Sequence, residues 1–389
     1  MCGFVGLLSD QAIGNKELKS QITKMADTLE HRGPDDAGDW VEGISGMALG
    51  FRRLSIIELS SAGHQPMASN SGRFIIAFNG EIYNHLELRT ELLAAKAAPV
   101  WRGYSDTETL LAGFEHWGIE VTLAKTVGMF AIALWDASNR KLYLARDRFG
   151  EKPLYYGWVG SGSEQTFAFG SELKALRAFD GFVNPVCREA LAQYVRFKYV
   201  PAPRSIYQGI YKLEPGCVLC IEGSAPKTAP TRPLRPSEIY ESLKLERWWS
   251  LAAIVQAGAK QKINSEDEAL EALEQQLEDA VRLQKLADVP VGAFLSGGVD
   301  SSTIVALMQK QSVCPVKTFT VGFQESGFDE SPFARAVAKH LGTDHTELFV
   351  TAVEAQQVIP QLPTIYDEPF ADESQIPTYL VCSAARQEM

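Results

Sequence analysis

The chain has 389 residues, 46% of them hydrophobic and 22% charged, with 37 Lys and Arg against 48 Asp and Glu for a net charge of −11. That is enough apolar material for two hydrophobic cores and excludes a wholly disordered chain. A net-acidic chain is also a poor general binder of the nucleic-acid backbone. No apolar run reaches the roughly 18 residues of a membrane span, and MCGFVGLLSD at the N-terminus lacks the basic segment and cleavage site of a signal peptide. The six cysteines, Cys2, Cys187, Cys217, Cys220, Cys314 and Cys382, are too sparse and irregular for a disulfide framework. Cys217 and Cys220 stand in a strand-like GCVLCIEG with no second pair, and the expected compartment is the reducing cytosol.

In chain order, the first 220 residues read mainly as short strands punctuated by Gly, Asn and Asp: FRRLSIIE, RFIIAFNGEIYN, GMFAIALWD, KLYLARD and QTFAFGSE. Helical spacing predicts a helix over 16–30, with Leu18, Ile22, Met25, Ala26 and Leu29 on one face. Further helices are expected over 86–95 and 106–117, giving an α+β sandwich. A stretch with Pro226, Pro230, Pro233 and Pro236 reads as a surface loop. Beyond it, Ser265 as N-cap and Glu268 three residues on open a helix over 265–286. VPVGAFL, VKTFTVGF and HTELFV then alternate with helical TIVALMQK, ESPFARAVAKHLG, 352–359 and 376–387, the pattern of a parallel α/β sheet. Three strands are few for such a sheet, and the expectation is that it is C-terminally incomplete.

Two places carry chemistry. If Met1 is removed, Cys2 becomes the N-terminus, and its α-amine, with an ordinary pKa of about 8, can act as base for its own thiol. Alone, Cys2 fits equally a small apolar residue opening the strand CGFVGLL. The second place is LSGGVDSS (295–302), between a strand and a helix. Its glycines allow a tight turn, and its N–H groups and the helix N-terminus suit phosphate. No Walker A sequence is present.

Cys2 is accompanied by HRGPDD (31–36), RRLSIIE (52–58), FNGEIYNH (78–85), YSDTE (104–108), GMFAIALWD (128–136) and RDRFGEKPLYY (146–156). With these motifs, in this order, the sequence resembles the class II glutamine amidotransferases, and most closely the glutamine-hydrolysing asparagine synthetases. LSGGVDSS resembles the pyrophosphate loop of the ATP pyrophosphatases. The resemblance covers nearly the whole chain. It implies an N-terminal-nucleophile (αββα) sandwich over 2–220, a linker and domain edge over 221–250, and a partial PP-loop α/β domain over 251–389.

The resemblance also implies roles. Cys2 is the nucleophile, with Asn79 and Gly80 as oxyanion hole, although Asn-Gly also fits a strand-ending turn. Arg53 takes the glutamine carboxylate, Asp106 its ammonium, and Leu54, Ser55, Ile56, Ile57 and Glu81 line the pocket. Taken singly, Arg53 and Asp106 also fit surface salt bridges. His31 is given a structural role. Ser296, Gly297, Gly298, Val299, Ser301 and Ser302 hold ATP pyrophosphate, Asp300 helps bind Mg²⁺, and Leu295 and Val321 touch the nucleotide.

The implied reaction hydrolyses glutamine, adenylates an acceptor carboxylate with ATP, aspartate in the commonest case, and amidates it. A homodimer is a family expectation; nucleic-acid and membrane partners are not expected. Other acceptors, such as a sugar acid of a surface polysaccharide, or a glutaminase-only interaction protein, are the alternatives. Asp367, Glu368, Asp372 and Glu373 of YDEPFADESQIPTYL (366–380) form an acid cluster without an assigned role. The family's later S-G-D/E-G-x-D-E motif does not occur in these residues.

Overall fold

A computed structural model describes residues 2–10, 13–162, 165–323 and 329–388. The strands are β1 (Gly3–Leu8), β2 (Asp36–Glu42), β3 (Met47–Arg53), β4 (Met67–Ala68), β5 (Phe74–Ile82), β6 (Gly128–Asp136), β7 (Lys141–Arg146), β8 (Tyr155–Val159), β9 (Thr166–Gly170), β10 (Ile210–Lys212), β11 (Cys217–Glu222), β12 (Ile239–Tyr240), β13 (Leu243–Arg247), β14 (Gly292–Phe294), β15 (Lys317–Phe323) and β16 (Asp344–Val350). The helices are α1 (Asn15–Asp27), α2 (His85–Ala94), α3 (Asp106–Trp117), α4 (Ile119–Lys125), α5 (Leu173–Arg177), α6 (Arg188–Phe197), α7 (Leu251–Gly258), α8 (Glu266–Gln284), α9 (Val299–Lys310), α10 (Ser331–Leu341), α11 (Ala352–Val358), α12 (Leu362–Ile365) and α13 (Gln375–Glu388). Two compact units result: Met1–Gly258 with Asp367–Phe370, and Ala259–Tyr366 with Ala371–Met389.

The first unit stacks two antiparallel sheets, ordered β10-β8-β9-β1-β3-β2 and β12-β13-β11-β7-β6-β5-β4. Strand alternation explains the layering. Ala131, Ala133 and Trp135 of β6 face the inter-sheet core with Phe4, Phe51 and Phe169. Phe130, Ile132 and Leu134, one step out of phase, meet Leu88, Leu110 and Phe114 of α2 and α3. Val5 and Leu7 of β1 pack in the same way on Leu18, Ile22 and Met25 of α1. GMFAIALWD thus reads as one apolar run because both its faces are buried. The result is the expected αββα sandwich.

Several boundaries differ from expectation. The first helix stops at Asp27, and residues 30–32 form a 3-10 turn ahead of Gly33 and Pro34. The proline-bearing stretch, expected as a loop, supplies β12 and β13: Leu243 and Leu245 turn into the core while Lys244 lies outside. The first unit therefore continues past 220 to Gly258 and takes in Asp367–Phe370. Helices α4, α5 and α6, which short or mixed sequences concealed, complete its outer layers.

The second unit carries the parallel sheet β14-β15-β16. Its core is two small clusters, Val281 with Leu307, Met308 and Val316, and Leu295 with Val305, Ala334 and Ala338. Ser265 caps α8 as expected, accepting the Glu268 N–H at 3.4 Å. Among the described residues no helix is long and apolar enough to cross a membrane.

One buried carboxylate organises the loop after β7. Asp147, 0% exposed, accepts N–H groups from Phe149, Gly150 and Glu151 on Oδ1 and from Phe130 and Lys152 on Oδ2, at 2.6–3.1 Å. Asp147→Ala is expected to cost the first unit about 3 kcal/mol or more, because five main-chain N–H groups, two of them in buried bonds, lose their acceptor at once. All seven tryptophans, Trp40, Trp101, Trp117, Trp135, Trp158, Trp248 and Trp249, lie in that unit. The midpoint of its urea transition by tryptophan fluorescence should fall accordingly; an unchanged midpoint would contradict the account.

Candidate active site

A small solvent-open cleft in the first unit is lined by Cys2, Arg53, Asn79, Gly80, Glu81, Asp106 and neighbours. Four places in the chain deliver them: the residue before β1 (Cys2), the end of β3 (Arg53), β5 (Asn79, Gly80 and Glu81) and the start of α3 (Asp106). Cys2 precedes β1. Its Sγ accepts the Leu54 N–H at 3.4 Å and faces the Leu54 carbonyl at 3.5 Å, so the end of β3 holds the thiol. Burial pushes the Cys2 thiol above its ordinary value, opposed by the Leu54 hydrogen bond and the nearby Arg53 charge. A thiol so placed is no standing thiolate and needs a base before it can attack.

Arg53 ends β3 and is 5% exposed. Its guanidinium donates to the carbonyls of Ser60 at 3.0 Å, Ile57 at 3.5 Å and Glu58. Asp106 opens α3 under the Ser105 cap and accepts the Ile82 N–H at 2.9 Å and the Thr107 N–H at 2.8 Å. Among the described residues neither forms an ion pair, so the surface salt-bridge alternative falls for both. The cleft therefore presents a buried cation held by neutral carbonyls and a buried anion held by neutral amides. Burial pushes the Asp106 carboxyl up to about 6. Burial, with Asp106 next, pushes Glu81 up to about 7.

Asn79-Gly80 is no turn. Both residues lie inside β5, where Asn79 pairs with Ala131 and Gly80 with Phe130 of β6. A side chain at Gly80 would collide with the Met129 carbonyl, which is why glycine stands there. Beyond its short pairing with β4, β5 has an open edge, and alternate N–H groups point to it. Phe74 N–H reaches Ser69 Oγ at 3.1 Å, Phe78 N–H reaches Gln65 Oε1 at 2.7 Å, and Ile82 N–H reaches Asp106. The same alternation turns the Gly80 N–H to that edge, at the cleft. The Asn79 side chain is 1% exposed, and its Nδ2 and Oδ1 are buried without hydrogen-bond partners among the described residues. An unpartnered buried amide is costly unless a ligand satisfies it.

Of the residues expected at this site, all but Ser55 line the cleft. The Ser55 N–H bonds Asp35 Oδ2 at 2.8 Å. His31 also lies outside, on Glu172 at 3.0 Å. Sequence reasoning missed Gln65, Met129 and Lys152, which line the cleft, and Glu58. Glu58, 4% exposed, joins two loops of the site: Oε1 accepts the Ser60 N–H at 3.2 Å and Oε2 the Tyr104 N–H at 3.0 Å. Glu58 and Lys152 stand in quoted motifs, but only the fold turns them toward the site.

In the second unit, LSGGVDSS follows β14 and enters α9. Gly297 has φ +79°, and a side chain there would press on Phe333 and Ala334. Ser301 Oγ accepts the Ser296 N–H at 3.2 Å, and Ser296 Oγ accepts the Gly298 N–H at 3.3 Å. Ser302 Oγ is buried without a hydrogen-bond partner among the described residues. Phe294 pairs with Phe319, so continuing that parallel register brings Ser296 level with Val321. The Leu295 side chain is 1% exposed and packs on Val305 and Ala334, and its N–H bonds the Phe319 carbonyl at 2.9 Å. Val299 and Asp300 sit exposed in the first turn of α9. Among the described residues no group of three or more His, Cys, Asp or Glu could hold a metal ion.

Residues 1–230 match the glutamine amidotransferase domain family and 272–389 the asparagine synthase family. A Mycobacterium tuberculosis protein classed with the glutamine-hydrolysing asparagine synthetases is 37% identical, over all of this chain and 58% of its own length. Glutamine-hydrolysing asparagine synthetase 1 of Bacillus subtilis is 35% identical, over all of this chain and 56% of its own. A Methanocaldococcus jannaschii protein of the same class is 32% identical, over all of this chain and 72% of its own. The chain thus spans little more than half the length of the first two.

Proposed function

Since this chain belongs to the glutamine-hydrolysing asparagine synthetase family, we propose that its first unit hydrolyses glutamine at Cys2 and that the whole protein uses the ammonia to amidate an adenylated carboxylate. The observation carrying the first half is the convergence on one cleft of the Cys2 thiol, the unpartnered Asn79 amide, and oppositely charged Arg53 and Asp106.

Removal of Met1, which lies outside the described residues, frees the Cys2 α-amine. That amine takes the thiol proton as Sγ attacks the side-chain amide carbon of glutamine. Asn79 Nδ2 and the Gly80 N–H donate to the oxygen that becomes negative. The ammonium returns its proton to the leaving nitrogen, ammonia departs, and a γ-glutamyl thioester remains. Water, deprotonated by the same amine, cleaves the thioester to glutamate. Arg53 takes the substrate α-carboxylate, and Asp106 and Glu81 take its α-ammonium.

For the second unit we propose ATP at residues 296–302, with phosphate oxygens on the Gly298-to-Ser302 turn and the α9 N-terminus. Asp300 is one exposed carboxylate. That suits Mg²⁺, which draws most of its shell from phosphate and water; bound there, the ion would neutralise phosphate charge. Aspartate is the proposed acceptor, and the cytoplasm the proposed compartment. The testing experiment measures glutamate formed from glutamine without ATP, then asparagine formed from aspartate, ATP and ammonia by the complete protein. No glutamate overturns the glutaminase reading, and amidation of a different carboxylate overturns aspartate.

A pH dependence follows. Glu81 and Asp106 sit at about 7 and 6 in the folded protein, above the ordinary carboxylate range. The ammonium needs both ionised, so binding weakens as pH falls through 7 and then 6. KM for glutamine is expected to rise roughly tenfold or more between pH 8 and pH 5.5. A KM flat over that range would contradict the assignment. The folded state holds these protons where the unfolded chain has lost them. The two groups therefore oppose folding most above about pH 7, and their cost is relieved as pH falls toward ordinary carboxylate values.

A further inference from the structure

The nucleophile and its base both hang from residue 2, so the main chain of that residue sets the geometry of both. On its carbonyl side the anchor is Arg32, whose Nε donates to the Cys2 oxygen at 2.9 Å. Arg32 is aimed by Glu172, which accepts from Nη1 at 2.6 Å. Glu172 is held in turn by His31 at 3.0 Å and by the Lys174 ammonium at 2.8 Å. Burial raises the Glu172 carboxyl, but hydrogen bonds from His31 and Lys174 and the Arg32 charge pull it down to about 2. It is an anion at every working pH.

The series continues to a residue far along the chain. Asp367–Phe370 belongs to the first unit, although the residues on either side of it belong to the second. Asp367 Oδ1 lies 3.5 Å from the Lys174 ammonium, and its Oδ2 accepts the Lys174 N–H at 3.2 Å. Glu368 fixes the segment: it accepts the Ile206 N–H at 2.7 Å and the Tyr155 hydroxyl at 3.4 Å, and pairs with Lys212. The side chains of Arg32, Glu172, Lys174 and Asp367 are only 9–20% exposed. Pairs so shielded hold geometry far better than exposed ones.

We propose that Glu172 is a positioning residue for Cys2, acting through Arg32, and that Asp367 acts through Lys174 on Glu172, which makes Asp367–Phe370 a working part of the glutamine site. The proposal rests on Cys2 being the nucleophile. Neither carboxylate lines the cleft. Their loss therefore disturbs the alignment of thiol, amine and amide carbon and leaves the substrate's charged groups their partners.

The test measures glutamine hydrolysis by the full chain and by Glu172→Gln, Asp367→Asn and the double variant, with tryptophan fluorescence melting to confirm folding. Glu172→Gln should lower kcat roughly ten- to a hundredfold, and Asp367→Asn roughly three- to tenfold, each with KM within about twofold. The double variant should be no slower than Glu172→Gln alone, since one residue acts through the other. Asp367→Glu, which restores the charge, should recover part of the loss. For any variant that melts early, the rate of Cys2 labelling by an electrophilic glutamine analogue, scored per folded molecule, replaces kcat. Unchanged kcat, a loss confined to KM, or single losses that multiply in the double variant would overturn the proposal while leaving the nucleophile assignment intact. A wild-type protein that fails to hydrolyse glutamine would instead remove that assignment.

Discussion

Replacing Cys2 by alanine is expected to abolish glutamine hydrolysis, by roughly 10³-fold or more, while leaving ammonia-dependent synthesis in the complete protein. The sulfur is the only atom of residue 2 able to form the acyl intermediate, and nothing else in the cleft substitutes for it. The other cleft-lining side chains are amides, charged groups, hydroxyls, the Met129 thioether and apolar groups. The fold should survive. Among the described residues Sγ makes two long hydrogen-bond contacts, both to Leu54, so its deletion costs about 1 kcal/mol. An unchanged tryptophan melting transition beside a lost activity is the expected pair of results. Hydrolysis retained by Cys2→Ala would remove Cys2 from the chemistry. Cys2→Ser keeps the α-amine and tests whether thiol chemistry specifically is required.

The second large effect is expected for Arg53→Lys: KM for glutamine should rise roughly 10²- to 10³-fold, with a smaller change in kcat. A bidentate guanidinium–carboxylate pair contributes two charge-assisted hydrogen bonds of about 1.5–3 kcal/mol each. A lysine ammonium keeps the charge but not the fork. It also cannot reach the carbonyls of Ile57, Glu58 and Ser60 together, as Arg53 does. The 57–60 loop, stapled by Glu58 to the chain leading into Asp106, would then lose its inner support. A KM within twofold of wild type would show that the carboxylate binds elsewhere.

The parts of the site written in short motifs were legible from sequence. Cys2, Arg53, Asn79 and Asp106 lie far apart in the chain, yet the residues named for them by resemblance meet in one cleft. The layered fold was legible because GMFAIALWD and its partners carry alternating apolar faces. Other features were not. Asn79-Gly80 looks like a turn locally; only the pairing with β6 shows a strand running on to Ile82. The β12–β13 hairpin lies beside prolines that read as a loop, and the inward placement of Leu243 and Leu245 emerges only from the sheet. Ser55 sits among lining residues in sequence but is not one of the residues that line the cleft. Asp367 could not have been assigned, because its partner Lys174 is distant in sequence and no local pattern joins them.

The most direct test of the central claim is the mass of the Cys2-containing peptide from protein mixed with glutamine and quenched in acid during turnover. A fraction of that peptide is expected to begin at Cys2, with Met1 gone, and to carry one glutamyl group on its sulfur. Glutamine turnover with Cys2 unmodified throughout, or with the glutamyl group on Cys187, Cys217, Cys220, Cys314 or Cys382, would contradict it.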